Sequence, residues 1–281
     1  MKSFNGRVAA ITGAGSGIGR ALALALAAQG SHLALADRDA AGLAETARLA
    51  ADSGVTVSTT TLDVSEEAAM YAWAEDVVAQ HGKVNLIFNN AGVALSGTVA
   101  ALSLEDYRWI MGINFWGVLY GTKAFMPHLE ASGEGHVINI SSVFGLTAQP
   151  LMSGYNASKY AVRGLTESLR QELDLGRSVV SATCVHPGGI KTNVAKSART
   201  DPSVTTLTGQ SEAQAQKEFE RLFITTPEKA AQVILAAVKR DARRVLIGPD
   251  ARVFDLMPRV APAGYQRLVV GSLRLQRRLA H

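Results

Sequence analysis

Tyr155 and Lys159 stand four residues apart in the run Tyr155-Asn156-Ala157-Ser158-Lys159, at the start of a helix-like stretch. That spacing puts both side chains on one helix face. A phenol with a pKa of about 10 is a poor base at neutral pH. A neighbouring ammonium favours the phenolate. The pair can then pass a proton to or from a substrate oxygen. Taken alone, the same spacing also describes an ordinary surface contact, so its weight comes from its company. That company is the strand-like Val137-Ile138-Asn139-Ile140-Ser141-Ser142, the run Asn89-Asn90-Ala91-Gly92, and Asn114 inside another helix-like run.

A second chemistry is written near the start of the chain. Thr12-Gly13-Ala14-Gly15-Ser16-Gly17-Ile18-Gly19 follows a strand-like run and opens a helix-like one. Glycines let the backbone turn tightly and approach a ligand closely. A helix N-terminus then offers unpaired N–H groups and a positive dipole end to a pyrophosphate. In this context the pattern reads as a dinucleotide loop. Asp37 lies eighteen residues after Gly19, at the end of the next strand-like run. A carboxylate there can accept hydrogen bonds from both hydroxyls of an adenosine ribose and would repel a 2′-phosphate. NAD is therefore expected over NADP. Arg38 keeps an NADP reading open, since it could stack on adenine or reach a phosphate.

These residues need a frame. Short β-branched and apolar runs at 7–12, 32–36, 56–61, 84–89, 136–141 and 179–186 alternate with helix-like runs at 17–29, 40–52, 66–81, 104–130 and 157–173. Alternation of this kind predicts a parallel sheet wrapped by helices, a doubly wound α/β Rossmann-type fold. In such a sheet the carboxyl ends of the strands face the ligand crevice. Gly13, Asp37, Asp63, Asn90, Ser142 and Pro187 all fall at such ends.

Together these motifs resemble the classical short-chain dehydrogenases/reductases: TGxxxGIG at Thr12–Gly19, NNAG at Asn89–Gly92, Asn114, Ser142 thirteen residues before Tyr155, YxxxK at Tyr155–Lys159, and PGxxxT at Pro187–Thr192. The resemblance covers about residues 6–192 and fades afterwards. It implies Tyr155 as general acid/base. Lys159 would hold the nicotinamide ribose hydroxyls and lower the tyrosine pKa. Ser142 would hydrogen-bond the substrate oxygen, with Ser141 a structural neighbour, and Asn114 would anchor a water linking Lys159 to solvent. Asp63 and Val64 would flank the adenine, and Asn90, Ala91 and Gly92 would line the cofactor. The Pro187-Gly188 turn would lead to Ile190 and Thr192, which would hold the carboxamide. Family members commonly pair the 104–130 helix and the Tyr155 helix across subunits, so a homodimer or homotetramer is expected.

Composition narrows the rest. The 281 residues are 47% hydrophobic and 19% charged, enough for a large core. Cys184 is the single cysteine, so an intrachain disulfide or cysteine-cluster metal site is excluded. The histidines show no close metal-ligand spacing, and no metal is assigned. The first residues lack an apolar segment with a cleavage site, and Ala21–Ala28 is too short to span a bilayer, so the cytoplasm is the expected compartment.

A polar stretch, 193–226, is expected to act as a substrate lid. It ends at Thr226-Pro227-Glu228, a helix start. Residues 1–258 are read as one cofactor-binding and catalytic body, and 259–281 as a basic amphipathic extension. From Lys239 to His281 there are ten Lys and Arg against three Asp, a net +7 that leaves −3 for the remainder. Such a tail can lie on an anionic membrane; packing on its own body or a partner subunit is the favoured expectation. No nucleic-acid module is present, and no nucleic-acid partner is expected. Near the chemistry, Val143, Phe144, Leu146, Leu151 and Met152 form an expected apolar substrate wall, with Ser142 and Tyr155 at the reacting oxygen. The expected activity is hydride transfer between NAD(H) and a hydrophobic alcohol/carbonyl pair. The alternatives are an NADP-dependent carbonyl reductase and a non-catalytic NAD sensor acting through the tail.

Overall fold

A computed structural model describes residues 1–192, 198–209 and 223–279, with side chains through 274. Seven strands form one parallel sheet: β1 (Val8–Thr12), β2 (His32–Asp37), β3 (Val57–Thr61), β4 (Leu86–Asn89), β6 (Gly135–Ile140), β7 (Val180–Pro187) and β9 (Arg244–Ile247). Their order is β3-β2-β1-β4-β6-β7-β9. Crossovers leave β1 in one direction and β4 in the other, so the order reverses between them and opens a crevice at their carboxyl ends.

Alternation within each strand divides the core. In β1, Ala9 and Ile11 face one side while Val8 and Ala10 face the other. The first side is covered by α1 (Gly17–Ala27), α2 (Ala40–Ala51) and α8 (Pro227–Lys239), the second by α3 (Glu67–His81), α4 (Leu104–Met111) and α5 (Gly117–Ala131). With both faces covered, every residue of β6 is buried, as its near-continuous apolar sequence requires. Trp73 of α3 and Phe125 of α5 meet edge to face at 5.0 Å.

Local signals act as the sequence predicts at α8: Thr226 caps the helix by accepting from the Lys229 N–H, and Pro227 occupies its first turn. The expected single helix over 104–130 differs. A π-helical turn, Gly112–Trp116, separates α4 from α5 and carries Asn114. The Tyr155 helix, α6 (Ser153–Leu175), begins four residues earlier than its apolar pattern indicates, which places Tyr155 in its first turn.

Part of the polar stretch folds onto the body. β8 (Arg199–Thr200) pairs with β5 (Leu95–Ser96), and α7 (Ser203–Thr208) follows. The Arg199 guanidinium lies 3.8 Å from the Trp109 ring centroid. The expected lid also includes residues 193–197 and 210–222, which lie outside the described residues. Beyond β9 come α9 (Pro249–Val260) and α10 (Gly264–Leu279). Tyr265 is buried, and its hydroxyl accepts from the Ala148 N–H, so α10 is tied to its own body at its start. Among the described residues no helix is long and apolar enough to cross a membrane.

Candidate active site

A cleft of about 460 Å³ opens at the carboxyl ends of the strands. Its first wall is the β1–α1 loop. Gly13 has φ +65°, and a Cβ there would come within 2.9 Å of Ala91 Cα, so only glycine permits this approach. The contact is sealed by polar bonds: the Asn90 amide donates to the carbonyls of Thr12 and Gly13 at 2.9 and 3.2 Å, and Thr12 Oγ1 accepts from the Asn90 and Ala91 N–H groups at 3.0 Å each. Ser16, the N-cap of α1, makes no side-chain cap bond. The first-turn N–H groups of α1 thus rely on something other than that hydroxyl, which is the arrangement that accepts an anion. Gly13, Ser16, Gly17 and Ile18 line the cleft, whereas Gly19 does not. A Cβ on Gly19 would collide with the Gly13 carbonyl, so glycine is needed there for the packing of helix against loop.

At the end of β2, Asp37 reaches back to the loop. One carboxylate oxygen accepts from the Gly15 N–H at 2.8 Å and the other from the Asp39 N–H at 2.9 Å. Arg38 is exposed beside it, and both line the cleft. Asp63 and Val64 follow β3 on the same rim, and Asn90, Ala91 and Gly92 follow β4. Pro187 at the end of β7, with Gly188, Ile190 and Thr192 after it, lines the cleft on the far side. These segments are distant in sequence and meet because every parallel strand delivers its carboxyl end to the same edge.

Ser142, Tyr155 and Lys159 share the wall between β6 and α6. The Ser142 hydroxyl accepts from the Phe144 N–H at 3.1 Å and lines the cleft with Tyr155. Lys159 is buried, donates to the Ile140 carbonyl at 3.0 Å, and holds its ammonium 5.6 Å from the Tyr155 ring centroid. Burial raises the Tyr155 phenol above its usual range, with the Ser142 hydroxyl acting in the opposite direction. Burial lowers Lys159 to about 8. For the protein by itself, desolvation of the phenol is the larger influence on Tyr155.

Ser141 is structural, as expected: its hydroxyl donates to the Lys159 carbonyl at 2.8 Å. Asn114 is brought to the same region but not into the cleft. It is fully buried; its oxygen accepts from the Val93 N–H at 2.9 Å, and its amide donates to the Val93 carbonyl at 3.0 Å and to Ser158 Oγ at 3.1 Å. Ser158 in turn donates to the Tyr155 carbonyl at 2.8 Å. The side chain thus braces the Tyr155 helix against the Gly92–Val93 segment, and its amide is already committed.

Phe144 and Met152 line the chamber beside Tyr155, as does Val143. Leu146 and Leu151 do not. Leu146 is buried behind the short helical turn 143–145, and Leu151 sits at φ +64°, where the chain turns into α6. The structure adds residues that sequence reasoning missed. Val93, Ala94 and Ile113 contribute apolar surface, and Asp250 and Phe254 enter from α9. Gly248-Pro249-Asp250 marks a helix start, but no local pattern says that this helix turns one face into the cleft.

Comparison with known proteins agrees with this layout. The short chain dehydrogenase family model matches residues 7–203. A Mycobacterium tuberculosis protein named "Putative oxidoreductase SadH" is 48% identical over 275 residues, covering 97% of each chain. Among solved structures, a short chain dehydrogenase/reductase from Burkholderia phymatum in complex with NAD is 33% identical, covers 92% of this chain and 95% of its own, and superposes with a TM-score of 0.83. An alcohol dehydrogenase from Thermococcus sibiricus complexed with 5-hydroxy-NADP is 27% identical, covers 86% and 95%, and has a TM-score of 0.72.

Proposed function

The chain belongs to the short-chain dehydrogenase family, and from that premise we propose that it uses NAD(H) to interconvert a hydrophobic alcohol and its ketone or aldehyde. The observation that carries the reading is the Ser142–Tyr155–Lys159 wall, facing an apolar chamber at one end of a cleft whose other end holds a carboxylate.

The residues suit a nicotinamide dinucleotide. The loop suits a pyrophosphate because Gly13, Ser16, Gly17 and Ile18 line the cleft where α1 begins, and the Ser16 hydroxyl does not cap the first-turn N–H groups. Asp37 would accept from the adenosine ribose hydroxyls, Asp63 and Val64 would border the adenine, and Lys159 would hold the second ribose. Ile190 and Thr192 would hold the carboxamide. When bound, the nicotinamide supplies the hydride acceptor or donor.

The chain's own part is orientation and proton transfer. In reduction, Tyr155 gives its phenolic proton to the carbonyl oxygen as negative charge develops there. In oxidation, it takes the proton from the hydroxyl. Ser142 donates a hydrogen bond to the same oxygen and stabilises that charge. Lys159, with a pKa of about 8, is largely protonated at neutral pH, and its ammonium favours the phenolate that oxidation requires. Val93, Phe144, Met152 and Phe254 exclude water and favour an apolar substrate. Asp37 favours NAD, in keeping with the NAD-bound relative from Burkholderia phymatum. Exposed Trp116 and Tyr160, on the two helices expected to pair across subunits, suit a homo-oligomer.

The test is nicotinamide absorbance against a panel of hydrophobic alcohols and ketones, for the native chain and Tyr155→Phe. The variant should bind NAD unchanged and lose about 10²- to 10⁴-fold in turnover. Turnover that survives in Tyr155→Phe refutes the mechanism. NAD binding without turnover across the panel would favour a sensor.

A further inference from the structure

The last strand leads into α9, and one face of that helix enters the cleft. Asp250 and Phe254 stand four residues apart, hence on one face, and both line the cleft. The Phe254 ring meets Phe144 edge-on at 6.2 Å, and Phe144 meets Tyr155 edge-on at 6.0 Å. Asp250 points at the other wall: its Oδ2 accepts from the Gly189 N–H at 2.6 Å. That is short for a neutral N–H···O bond and in keeping with a charged acceptor. The other oxygen, Oδ1, is buried without a hydrogen-bond partner among the described residues. A carboxylate oxygen in that position costs stability, and native proteins keep few such groups.

The space around the side chain is closely fitted. A Cβ at Gly188 or at Gly248 would collide with the Asp250 carboxylate. The backbone that Asp250 grips is the segment from Pro187 to Thr192. Main-chain bonds also tie it: Gly188 N–H to the Ile247 carbonyl at 2.9 Å, Thr225 N–H to the Gly189 carbonyl at 3.2 Å, and Lys191 N–H to the Thr225 carbonyl at 2.9 Å. Asp250 adds a charged side-chain anchor at the centre of this segment.

We propose that Asp250 is a positioning residue that locks the Gly188–Gly189 backbone, so that Ile190 and Thr192 present their polar groups to the nicotinamide end of the cofactor. The proposal rests on the NAD reading above. It places a requirement for cofactor binding in α9, outside the matched family segment 7–203.

The experiment compares binding of NAD and of ADP-ribose, which lacks the nicotinamide, by calorimetry with the full chain, Asp250→Ala and Asp250→Asn. The native chain should bind NAD more tightly than ADP-ribose. Asp250→Ala should weaken NAD binding about tenfold, or about 1.4 kcal/mol, and leave ADP-ribose within twofold. Asp250→Asn keeps a side-chain oxygen for the Gly189 N–H and should recover most of the loss. Retained ADP-ribose binding shows that each variant is folded. Equal loss of both ligands would mean a general loosening of the fold and overturns the proposal, as does NAD binding unchanged in Asp250→Ala. Failure of the native chain to bind NAD would instead overturn the cofactor reading and this proposal with it.

Discussion

Replacing Asp37 with Asn should convert cofactor preference, and the structure gives the size of the effect. An ionised carboxylate offers about four lone-pair sites. Two are taken, by the Gly15 and Asp39 N–H groups. The remaining sites match the two hydroxyls of an adenosine ribose. Asparagine keeps one oxygen, which can still serve Gly15, but loses the charge and half the acceptor capacity. The loss of a hydrogen bond to a charged group is worth about 1.5–3 kcal/mol, so NAD should lose ten- to a hundredfold in kcat/KM. For NADP the change is opposite. A carboxylate about 5 Å from a phosphate, at an effective dielectric constant of about 20, repels it by about 3 kcal/mol per unit charge. Removing that repulsion is worth about two decades at low ionic strength and less in high salt. The ratio of kcat/KM for NADP to that for NAD should rise at least a hundredfold, roughly. The assay is steady-state kinetics with both cofactors at two salt concentrations. A ratio that stays put refutes the role of Asp37 as cofactor selector. Equal losses with both cofactors would show that Asp37 acts only by holding the Gly15 loop.

Two further predictions concern pH. Burial lowers Lys159 from the ordinary 10.5 of an exposed lysine to about 8, so between these values the unfolded chain holds a proton that the folded chain has released, and stability rises with pH. Relative to Lys159→Met, the native chain should gain about 2 kcal/mol from pH 7 to 9.5 in urea denaturation; parallel profiles would refute the buried-lysine account. His186 is buried, bonds through Nδ1 to the Ser142 carbonyl at 3.0 Å, and has its pKa lowered by burial to about 4. The unfolded chain takes up its proton near pH 6.5 and the folded chain resists until about 4, so stability is lost as pH falls through that window. His186→Asn, which can keep a donor for the Ser142 carbonyl, should reduce the loss between pH 7 and 5 by about 2 kcal/mol in thermal or urea unfolding; an unchanged acid limb would refute it.

Much of this protein is legible in its sequence because the signals are local. The alternation of short apolar strands with helix-like runs dictates a parallel sheet, since each strand-to-strand return must cross over a face. The glycine loop, Asp37 and the Tyr155–Lys159 spacing each carry their geometry within a few residues. Parallel strands then bring those segments to one edge without any further information. The sequence does not show burial or the use of faces in packing. The sign of the Tyr155 shift is a matter of desolvation set by the surrounding walls. The Asn114 side chain, carried by a π turn, is committed to Val93 and Ser158, partners far away in the sequence. The need for glycine at position 19 comes from the close approach of the Gly13 carbonyl, a contact set by how the loop packs on α1. Leu146 and Leu151 are apolar and near the chemistry, but one turns inward and the other occupies a bend. Asp250 and Phe254 reach the cleft only because β9 lies beside β7 in the sheet, which brings the start of α9 against Gly189 and Phe144. The sequence by itself determined the fold and the side chains proposed to react, because residue type and short spacing suffice for both. The tertiary structure decided which groups are desolvated, which are already bonded, and what closes the substrate end, because these depend on contacts between segments far apart in the chain.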